Sequence, residues 1–225
     1  MPLGFFVTGT DTGVGKTLVA CALLHAFASS GKSVAGMKPV AAGSVGGRWA
    51  DVDALVEAGN IRAPASLVNP YAFEPAIAPH IAAELAGARI EIETIVRAYG
   101  ELSRRAEIVV VEGAGGFLVP LSARETGADL ARRLGLPVVL VVGMRLGCLN
   151  HALLTRGQIA ASGLRCAGWV ANCIVRDMPQ LEANIRALKE RLESPLLGVV
   201  PFQRAAGPAQ VARLLSLESL MEATA

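Results

Sequence analysis

A lysine and a threonine follow a glycine-rich stretch close to the start of this 225-residue sequence. The stretch runs from Gly9 to Gly15, and Lys16 and Thr17 come directly after it. Glycines let main-chain N–H groups turn towards an anion, and the N-terminus of a following helix adds partial positive charge. At these positions a lysine reaches the outer phosphates of a nucleotide and a threonine hydroxyl binds Mg²⁺. The sequence therefore predicts a phosphate-binding P-loop.

The segments on either side of the loop favour the same interpretation. Residues 4–8 form an apolar run rich in strand formers, and residues 18–24 have the composition of a helix. The spacing is unusual, because five residues separate Gly9 from Gly15 where the common loop has four. The alternative is an ordinary glycine-rich turn with an incidental lysine. The order of strand, loop and helix favours the nucleotide site.

Strands alternate with helices along the rest of the chain. We predict an α/β fold, a single-domain P-loop NTPase-like parallel sheet with helices on both faces, and one domain over residues 1–225. A small, flexible stretch at 41–50 is expected to be an active-site loop, and proline-rich residues 64–80 an irregular connection. Strands are predicted at 33–38, 108–111, 138–142, 167–171 and 196–200, and helices from 51, at 80–86, 91–105, 126–134, 149–162, 179–193 and 208–221.

Polar residues follow several of the predicted strands. Lys38, Glu112 and Asn172 each lie at the carboxyl end of a strand, where ligands bind in parallel sheets. Glu112 has the position of an acidic residue that binds Mg²⁺ in P-loop proteins, although it could also be a capping or surface glutamate. Lys38 could likewise be a solvated charge. Asp53 could simply favour the first turn of its helix.

Composition excludes several classes of function. The net charge is +2 and the basic residues form no stripe, so we expect no nucleic-acid partner. The apolar runs are too short to span a bilayer, and no signal peptide precedes the first strand, so we expect no membrane association. The four cysteines form no Cys-x-x-Cys pair, which favours reduced thiols and a cytoplasmic location.

Short motifs occur in order along most of the chain, at residues 8–17, 38–40, 68–71, 78–80, 111–116, 146–151 and 168–172. In order and spacing they resemble those of the dethiobiotin synthetases, over residues 4 to about 203. The longer spacing of the P-loop is the one that this family uses. The resemblance implies an ATP- and Mg²⁺-dependent enzyme that closes a cyclic urea on 7,8-diaminononanoate with carbon dioxide or bicarbonate.

The resemblance also implies a role for particular residues. Lys16 and Lys38 are expected to be catalytic, and Thr17, Asp53 and Glu112 to bind the metal. Substrate contacts are expected at Lys38, Ala42, Gly147, Cys148, Leu149 and Asn150. Nucleotide and cofactor contacts are expected at Gly13, Val14, Gly15, Lys16, Thr17, Leu18, Asp53, Glu112, Gly113, Ala114, Gly115, Asn172, Cys173, Pro201, Phe202 and Gln203.

Two positions depart from the family pattern, and one expectation concerns assembly. Family members usually carry a hydroxyl residue where this chain has Ala42, and some carry an acidic residue in place of Gly13. The resemblance implies a homodimer whose substrate site is shared, with residues 147–150 of one subunit holding the substrate carboxylate at the other. These residues open a helix, so from sequence alone they could equally serve only as its cap.

Two other functions fit parts of the pattern. A partitioning or septum-positioning ATPase switch has a related P-loop, but it carries an extra lysine where this chain has Asp11. A different ATP-dependent ligase, such as an amide-forming enzyme, would be expected to bring a glutaminase domain. We expect no such domain here, because 225 residues leave no room for it.

Overall fold

The computed structural model describes residues 3–202 and 207–222. The elements, in chain order, are β1 (Leu3–Gly9), α1 (Lys16–Ser29), β2 (Val34–Met37), β3 (Val40–Ala42), α2 (Ala50–Ala58), α3 (Ala65–Val68), β4 (Tyr71–Phe73), α4 (Pro79–Leu85), α5 (Ile92–Leu102), β5 (Ile108–Glu112), α6 (Gly127–Leu134), β6 (Val138–Met144), α7 (Cys148–Ala161), β7 (Cys166–Cys173), α8 (Leu181–Arg191), β8 (Leu196–Val200), α9 (Pro208–Ala212) and α10 (Leu217–Glu222).

Within the described residues, six strands form the main sheet in the order β2-β5-β1-β6-β7-β8. Every neighbouring pair in this sheet is parallel. The carboxyl ends of all six strands therefore lie at one edge, and the loops that follow β1, β2, β5 and β7 converge there. The predicted α/β fold is confirmed.

The two faces of the sheet bury alternate side chains of the same strands. In β1, Phe5 packs into one core layer and Phe6 into the other. The central strands β5 and β6 are buried along their whole lengths, as expected for strands covered on both faces. Their continuous apolar sequences, which lack the alternation of a half-exposed strand, follow from this burial.

The structure corrects the predicted elements at two places. The loop predicted at 41–50 begins inside β3, and the irregular connection predicted at 64–80 contains β4; these two strands pair in a small parallel sheet. The single helix predicted at 208–221 is two short helices, α9 and α10. They are separated where the main-chain N–H of Ser216 donates a hydrogen bond to the carbonyl of Leu197 in β8. Among the described residues, we find no helix with the length and hydropathy that crossing a membrane requires.

The four cysteines, Cys21, Cys148, Cys166 and Cys173, are buried free thiols. Burial, together with the nearby carboxylates of Glu112 and Glu57, raises the pKa of Cys21 to about 12. We therefore expect the folded protein to react slowly with a disulfide reagent at pH 8, because its thiols are buried out of reach of the reagent and the raised pKa keeps Cys21 protonated. Unfolding in guanidinium should release four thiols. Fast reaction of the folded protein, or fewer than four thiols after unfolding without reductant, would contradict this arrangement.

Candidate active site

The P-loop joins β1 to α1 with glycines in the conformation that the loop requires. Gly13 and Gly15 have φ values of 74° and 93°, in the left-handed region that favours glycine. Helix α1 begins directly after Gly15 and has no side-chain cap. Its first-turn N–H groups therefore remain available for an anion. The Nζ of Lys16 donates a hydrogen bond to the carbonyl of Asp11 at 2.9 Å, so the lysine lies over the loop.

Asn172 supports the P-loop from the end of β7. Its side chain is buried, and its Nδ2 donates a hydrogen bond to the carbonyl of Val14 at 2.8 Å. A Cβ atom at Gly15 would lie 2.1 Å from this Nδ2. Position 15 therefore needs glycine both for its backbone conformation and for the close approach of Asn172.

Lys38 is buried between two carboxylates. Its Nζ lies 2.7 Å from Oε1 of Glu112 and 2.8 Å from Oδ2 of Asp51. Lys38 is 5% exposed and Glu112 is 1% exposed. A buried charge is costly unless it is paired, so this pairing is what allows a lysine at the end of β2 to remain charged inside the protein.

The backbone of Lys38 is held by the last residue of α3 and by the residue that follows it. Its N–H donates a hydrogen bond to the carbonyl of Val68, and its own carbonyl accepts one from Nδ2 of Asn69 at 2.6 Å. Asn69 also donates to the carbonyl of Tyr71. These contacts fix the point at which the chain leaves the main sheet and enters β3, and so they fix the direction of the Lys38 side chain.

The two site lysines differ in their electrostatic surroundings. Burial and the nearby charge of Lys38 together lower the pKa of Lys16 to about 8, against the opposite effect of Glu112, Asp11 and Asp51. Burial also acts to lower the pKa of Lys38, but the carboxylates of Glu112 and Asp51 outweigh it and raise the pKa above the usual value. Lys38 is therefore a fixed cation at neutral pH.

Glu112 links Lys38 to the P-loop. Its Oε1 accepts a hydrogen bond from the Thr17 hydroxyl at 2.9 Å, so Lys38 after β2 and Glu112 at the end of β5 meet the start of α1. Its Oε2 is buried and has no hydrogen-bond partner in the described residues. An orphaned carboxylate oxygen beside a threonine hydroxyl suits a hard cation such as Mg²⁺, which takes its remaining ligands from phosphates and water. The residues present fit that ion.

The third predicted metal ligand lies elsewhere in this structure. The carboxylate of Asp53 pairs with Arg48 at 2.9 Å on the surface, and Asp51 contacts Lys38 instead. Residues two apart on a helix point about 200° away from each other, so only one of these carboxylates faces the crevice in this conformation. Sequence reasoning missed Asp51. In the part of the chain that the structure describes, no cluster of three or more histidine, cysteine, aspartate or glutamate side chains is arranged for a metal.

The loop after β5 closes the crevice beside the P-loop. The N–H of Gly113 donates to the carbonyl of Val7, and Gly115 has a φ of 55° at a position where a Cβ atom would lie 3.7 Å from Oγ1 of Thr12. Ala114 lies between them and is half-buried. A pocket beneath this loop is lined by Thr8, Glu112 and Pro39, among other residues. The predicted contacts at Gly113, Ala114 and Gly115 therefore lie next to the predicted phosphate site.

The remaining predicted residues line the rim of the same edge. Leu18 is in the first turn of α1, Cys173 is the buried last residue of β7, and Ala42 is the half-buried end of β3. Pro201 and Phe202 follow β8 and are exposed, with the guanidinium of Arg176 5.5 Å from the Phe202 ring centre. Gln203 lies outside the described residues.

The segment predicted to hold a substrate carboxylate opens α7. Gly147 has a φ of 92° and precedes Cys148, the first residue of the helix, without a side-chain cap. Asn150 therefore lies inside the first turn, and the suggestion that it caps the helix is wrong. Cys148 is buried, Leu149 is half-buried and Asn150 is exposed. The structure adds an ion pair that the sequence did not suggest, between Arg145 and Asp11 of the P-loop.

Comparisons with known proteins decide the family. A family model described as an AAA domain matches residues 4–210. The ATP-dependent dethiobiotin synthetase BioD of Nitrosospira multiformis is 57% identical over 204 residues, which cover 91% of this chain and 90% of that protein. The chain belongs to the dethiobiotin synthetase family. The synthetase of Pseudomonas paraeruginosa is 52% identical over 221 residues, covering 96% of this chain and 97% of that one.

Solved structures show a fold shared more widely than this family of synthetases. The MinD cell division protein of Aquifex aeolicus matches with a TM-score of 0.60 and 16% identity, covering 99% of this chain and 97% of that one. The signal recognition particle receptor FtsY of Elizabethkingia anophelis matches with a TM-score of 0.54 and 19% identity, covering 99% and 65%. At these identities the likeness concerns the fold alone.

Two glycines of the P-loop provide a matched pair of variants. Gly15→Ala should weaken ATP binding by on the order of tenfold or more, because its Cβ would displace Asn172 and distort the loop. Gly13→Ala has the same left-handed strain, roughly 1–2 kcal/mol, but its Cβ meets no atom within 4 Å. Calorimetric titration with Mg-ATP measures both affinities. Equal affinities for the two variants would show that the contact with Asn172 does not shape the nucleotide site.

Proposed function

We propose that the chain converts 7,8-diaminononanoate, carbon dioxide and ATP into dethiobiotin, ADP and phosphate. The observation that carries this proposal is the buried Lys38, held by Glu112 beside Thr17, in a chain 57% identical to a dethiobiotin synthetase. The site places a fixed cation next to a phosphate-binding loop. A cation beside a phosphate site suits a reaction in which an anionic nucleophile attacks a phosphate group.

The proposed reaction has three steps. One amine of the substrate takes up carbon dioxide and loses a proton, which gives a carbamate. A carbamate oxygen attacks the γ-phosphorus of ATP, and ADP leaves. The second amine then attacks the carbonyl carbon of the mixed anhydride, phosphate leaves, and the cyclic urea closes. Phosphorylation is needed because the carbamate by itself has no good leaving group.

Lys16 and Lys38 have different electrostatic roles in the proposed reaction. Lys16 and the main-chain N–H groups of residues 13–18 bind the phosphates of ATP, and the left-handed Gly13 and Gly15 aim those groups inward. Lys38 stabilises the carbamate anion and the charge that develops during transfer. Its pairing with Glu112 and Asp51 keeps it in place before the substrates arrive, so little rearrangement is required.

Thr17 and Glu112 would hold Mg²⁺, with Asp53 as a third proposed contributor. Such an ion would supply positive charge that offsets the charge of the phosphates. Asp53 would need to exchange its surface pairing with Arg48 for the crevice, whereas Thr17 and Glu112 are already adjacent.

The base of the nucleotide would lie beyond the ends of β7 and β8. Asn172, Cys173, Pro201 and Phe202 are at this end of the crevice, and Gln203 is proposed from sequence alone. The Nδ2 of Asn172 is engaged with Val14, which leaves its Oδ1 to accept a hydrogen bond from the adenine amino group. The ring of Phe202 offers an apolar surface to the base.

The substrate carboxylate would be bound by the start of α7 from a second subunit. The N–H of Cys148 donates to the carbonyl of Arg145, and the N–H groups of Leu149 and Asn150, which have no side-chain cap, would provide the anion site. Leu146, Leu153 and Leu154 lie on or beside this helix and are 98%, 38% and 65% exposed. Such side chains favour burial in a homodimer. The four buried free thiols support our proposal of a cytoplasmic location.

Isotope transfer tests the proposed reaction. The protein is incubated with Mg-ATP, 7,8-diaminononanoate and freshly dissolved ¹⁸O-labelled carbon dioxide, and both products are analysed by mass spectrometry. We expect a cyclic urea with one labelled oxygen and phosphate with the other, because a carbamate oxygen bridges to phosphorus and leaves with it. Absence of the urea would reject the function. Unlabelled phosphate alongside labelled urea would reject the carbamate route.

Removal of Lys38 should affect turnover far more than nucleotide binding. Lys38→Ala is expected to lower kcat by ~10²–10³-fold, the effect of losing one transition-state contact. Mg-ATP affinity should change little, because Lys16 and the loop amides bind the phosphates. Quenched-flow turnover and calorimetry measure the two quantities.

The control for this variant is Lys189→Ala, since Lys189 is exposed and lies on α8. The melting temperature is recorded for both variants, because loss of Lys38 leaves Glu112 buried without its nearest cation. A Lys38→Ala variant that loses ATP affinity but turns over normally at saturation would refute the assigned role.

Complementation tests the shared site. A Lys38→Ala subunit is mixed with one that carries a disruptive substitution at Gly147, such as Gly147→Val, which the left-handed backbone disfavours. Each variant alone should be nearly inactive. After subunit exchange, mixed dimers should recover activity, because both lesions fall in one site and the other site is intact. Proven exchange without recovery would place the carboxylate contact within one subunit.

A further inference from the structure

Arg145 and Asp11 form an ion pair that none of the roles above uses. The Nη2 of Arg145 lies 2.6 Å from Oδ2 of Asp11. Asp11 belongs to the P-loop, and Arg145 follows β6 directly, two residues before the left-handed Gly147. The pair therefore connects the phosphate site to the start of the segment that opens α7.

Asp11 is bound on all its acceptor atoms. Its Oδ1 accepts a hydrogen bond from the N–H of Thr12 at 2.7 Å, and its main-chain carbonyl accepts one from Nζ of Lys16 at 2.9 Å. The carboxylate is consequently fixed close to the lysine that binds phosphate. The charge of Asp11 is also one of the influences that raise the pKa of Lys16 against burial.

The same part of the P-loop is attached to β6 by two further contacts. The N–H of Thr10 donates to the carbonyl of Val141 at 3.0 Å, and Oγ1 of Thr10 accepts a hydrogen bond from the N–H of Gly143 at 3.3 Å. Arg145 continues this line of attachments beyond the end of the strand. Of these three contacts, the one between Arg145 and Asp11 is the contact between charged side chains.

A carboxylate in this position opposes the binding of a triphosphate. The P-loop gathers N–H groups and a lysine for an anion, whereas Asp11 brings a negative charge into the same loop. The positive charge of Arg145 removes that conflict. Because the two opposite charges are in contact, their electrostatic effects on a phosphate farther away cancel each other. It also keeps the fixed orientation of the Asp11 peptide, whose carbonyl receives Lys16.

We propose that Arg145 is a positioning residue for ATP, which acts by neutralising the Asp11 carboxylate and holding the early P-loop against β6. This rests on the proposed function only in taking ATP as the nucleotide. It assigns no contact between Arg145 and the nucleotide.

An ordinary surface ion pair is the alternative that the test must exclude. Exposed pairs usually contribute little to stability. The chain offers a matched control in Lys32 and Glu107, whose Nζ–Oε1 distance is 3.0 Å and whose side chains are 50% and 52% exposed. Arg145 and Asp11 are 40% and 48% exposed. The control pair precedes β2 and β5, at the opposite edge of the sheet.

The experiment measures the dissociation constant of Mg-ATP by calorimetry without the diamine, at low and high salt. Arg145→Ala should weaken binding by on the order of tenfold at low salt, and this loss should shrink as salt screens Asp11. Adding Asp11→Asn to Arg145→Ala should restore binding to within about threefold of the unsubstituted protein. Arg145→Lys should retain affinity, and Lys32→Ala should leave it unchanged.

Each outcome bears on the proposal. Normal affinity in Arg145→Ala would overturn it. A loss that Asp11→Asn does not restore would also overturn it, because Arg145 would then act on the nucleotide directly or only through the loop structure. Melting temperatures identify variants that fail to fold. If Arg145→Ala does not fold, the Mg-ATP affinity of Arg145→Lys is the deciding measurement, and a loss of affinity in that variant would overturn the proposal. Since the readout is ATP binding, a protein that makes no dethiobiotin but follows this pattern would retain the proposal while rejecting the function.

Discussion

The buried contact between Lys38 and Glu112 is the interaction on which the rest of the site depends. Its two side chains come from the ends of β2 and β5, which are neighbours in the sheet, and Glu112 then reaches Thr17 at the start of α1. A lysine that is 5% exposed remains charged only beside acidic partners. The strand order β2-β5-β1 provides that pairing, since it places the three carboxyl ends side by side.

This contact joins the two halves of the proposed chemistry. On one side, Thr17 and the unpartnered Oε2 of Glu112 suit a metal that accompanies phosphates. On the other side, the buried ammonium group of Lys38 is the cation that we propose for stabilising the carbamate and the transferred phosphoryl group. Because the predicted metal site and Lys38 share the buried carboxylate of Glu112, we expect a change at one of them to alter the other. Asn69, which fixes the backbone of Lys38, belongs to the same arrangement.

The sequence predicted the parts of the site that follow from strand order. Lys38, Glu112 and Asn172 were found because polar residues after apolar strands must meet at one edge. Asp51 and Asp53 are two residues apart on α2, so the rotation of this helix about its axis decides which carboxylate faces the crevice. The sequence alone does not reveal that rotation. The sequence did not predict the contact of Asp11 with Arg145, because that contact depends on β1 lying beside β6. It did not predict β3 and β4 either, because these strands are too short to show a pattern of apolar residues. The fold itself is shared with MinD, so family membership came from the sequence relatives.

A double-mutant cycle on Lys38 and Glu112 tests whether the contact is one coupled unit retained for chemistry. The free energy of unfolding and kcat are measured for Lys38→Met, Glu112→Gln and the double variant. Lys38→Met should destabilise the protein by about 3–5 kcal/mol, because it leaves the buried charge of Glu112 without its nearest cation. Glu112→Gln should destabilise it by less, because Asp51 still pairs with Lys38. The double variant should recover most of that loss yet remain inactive. A double variant as unstable as the sum of the single changes, or one that turns over normally, would contradict this account.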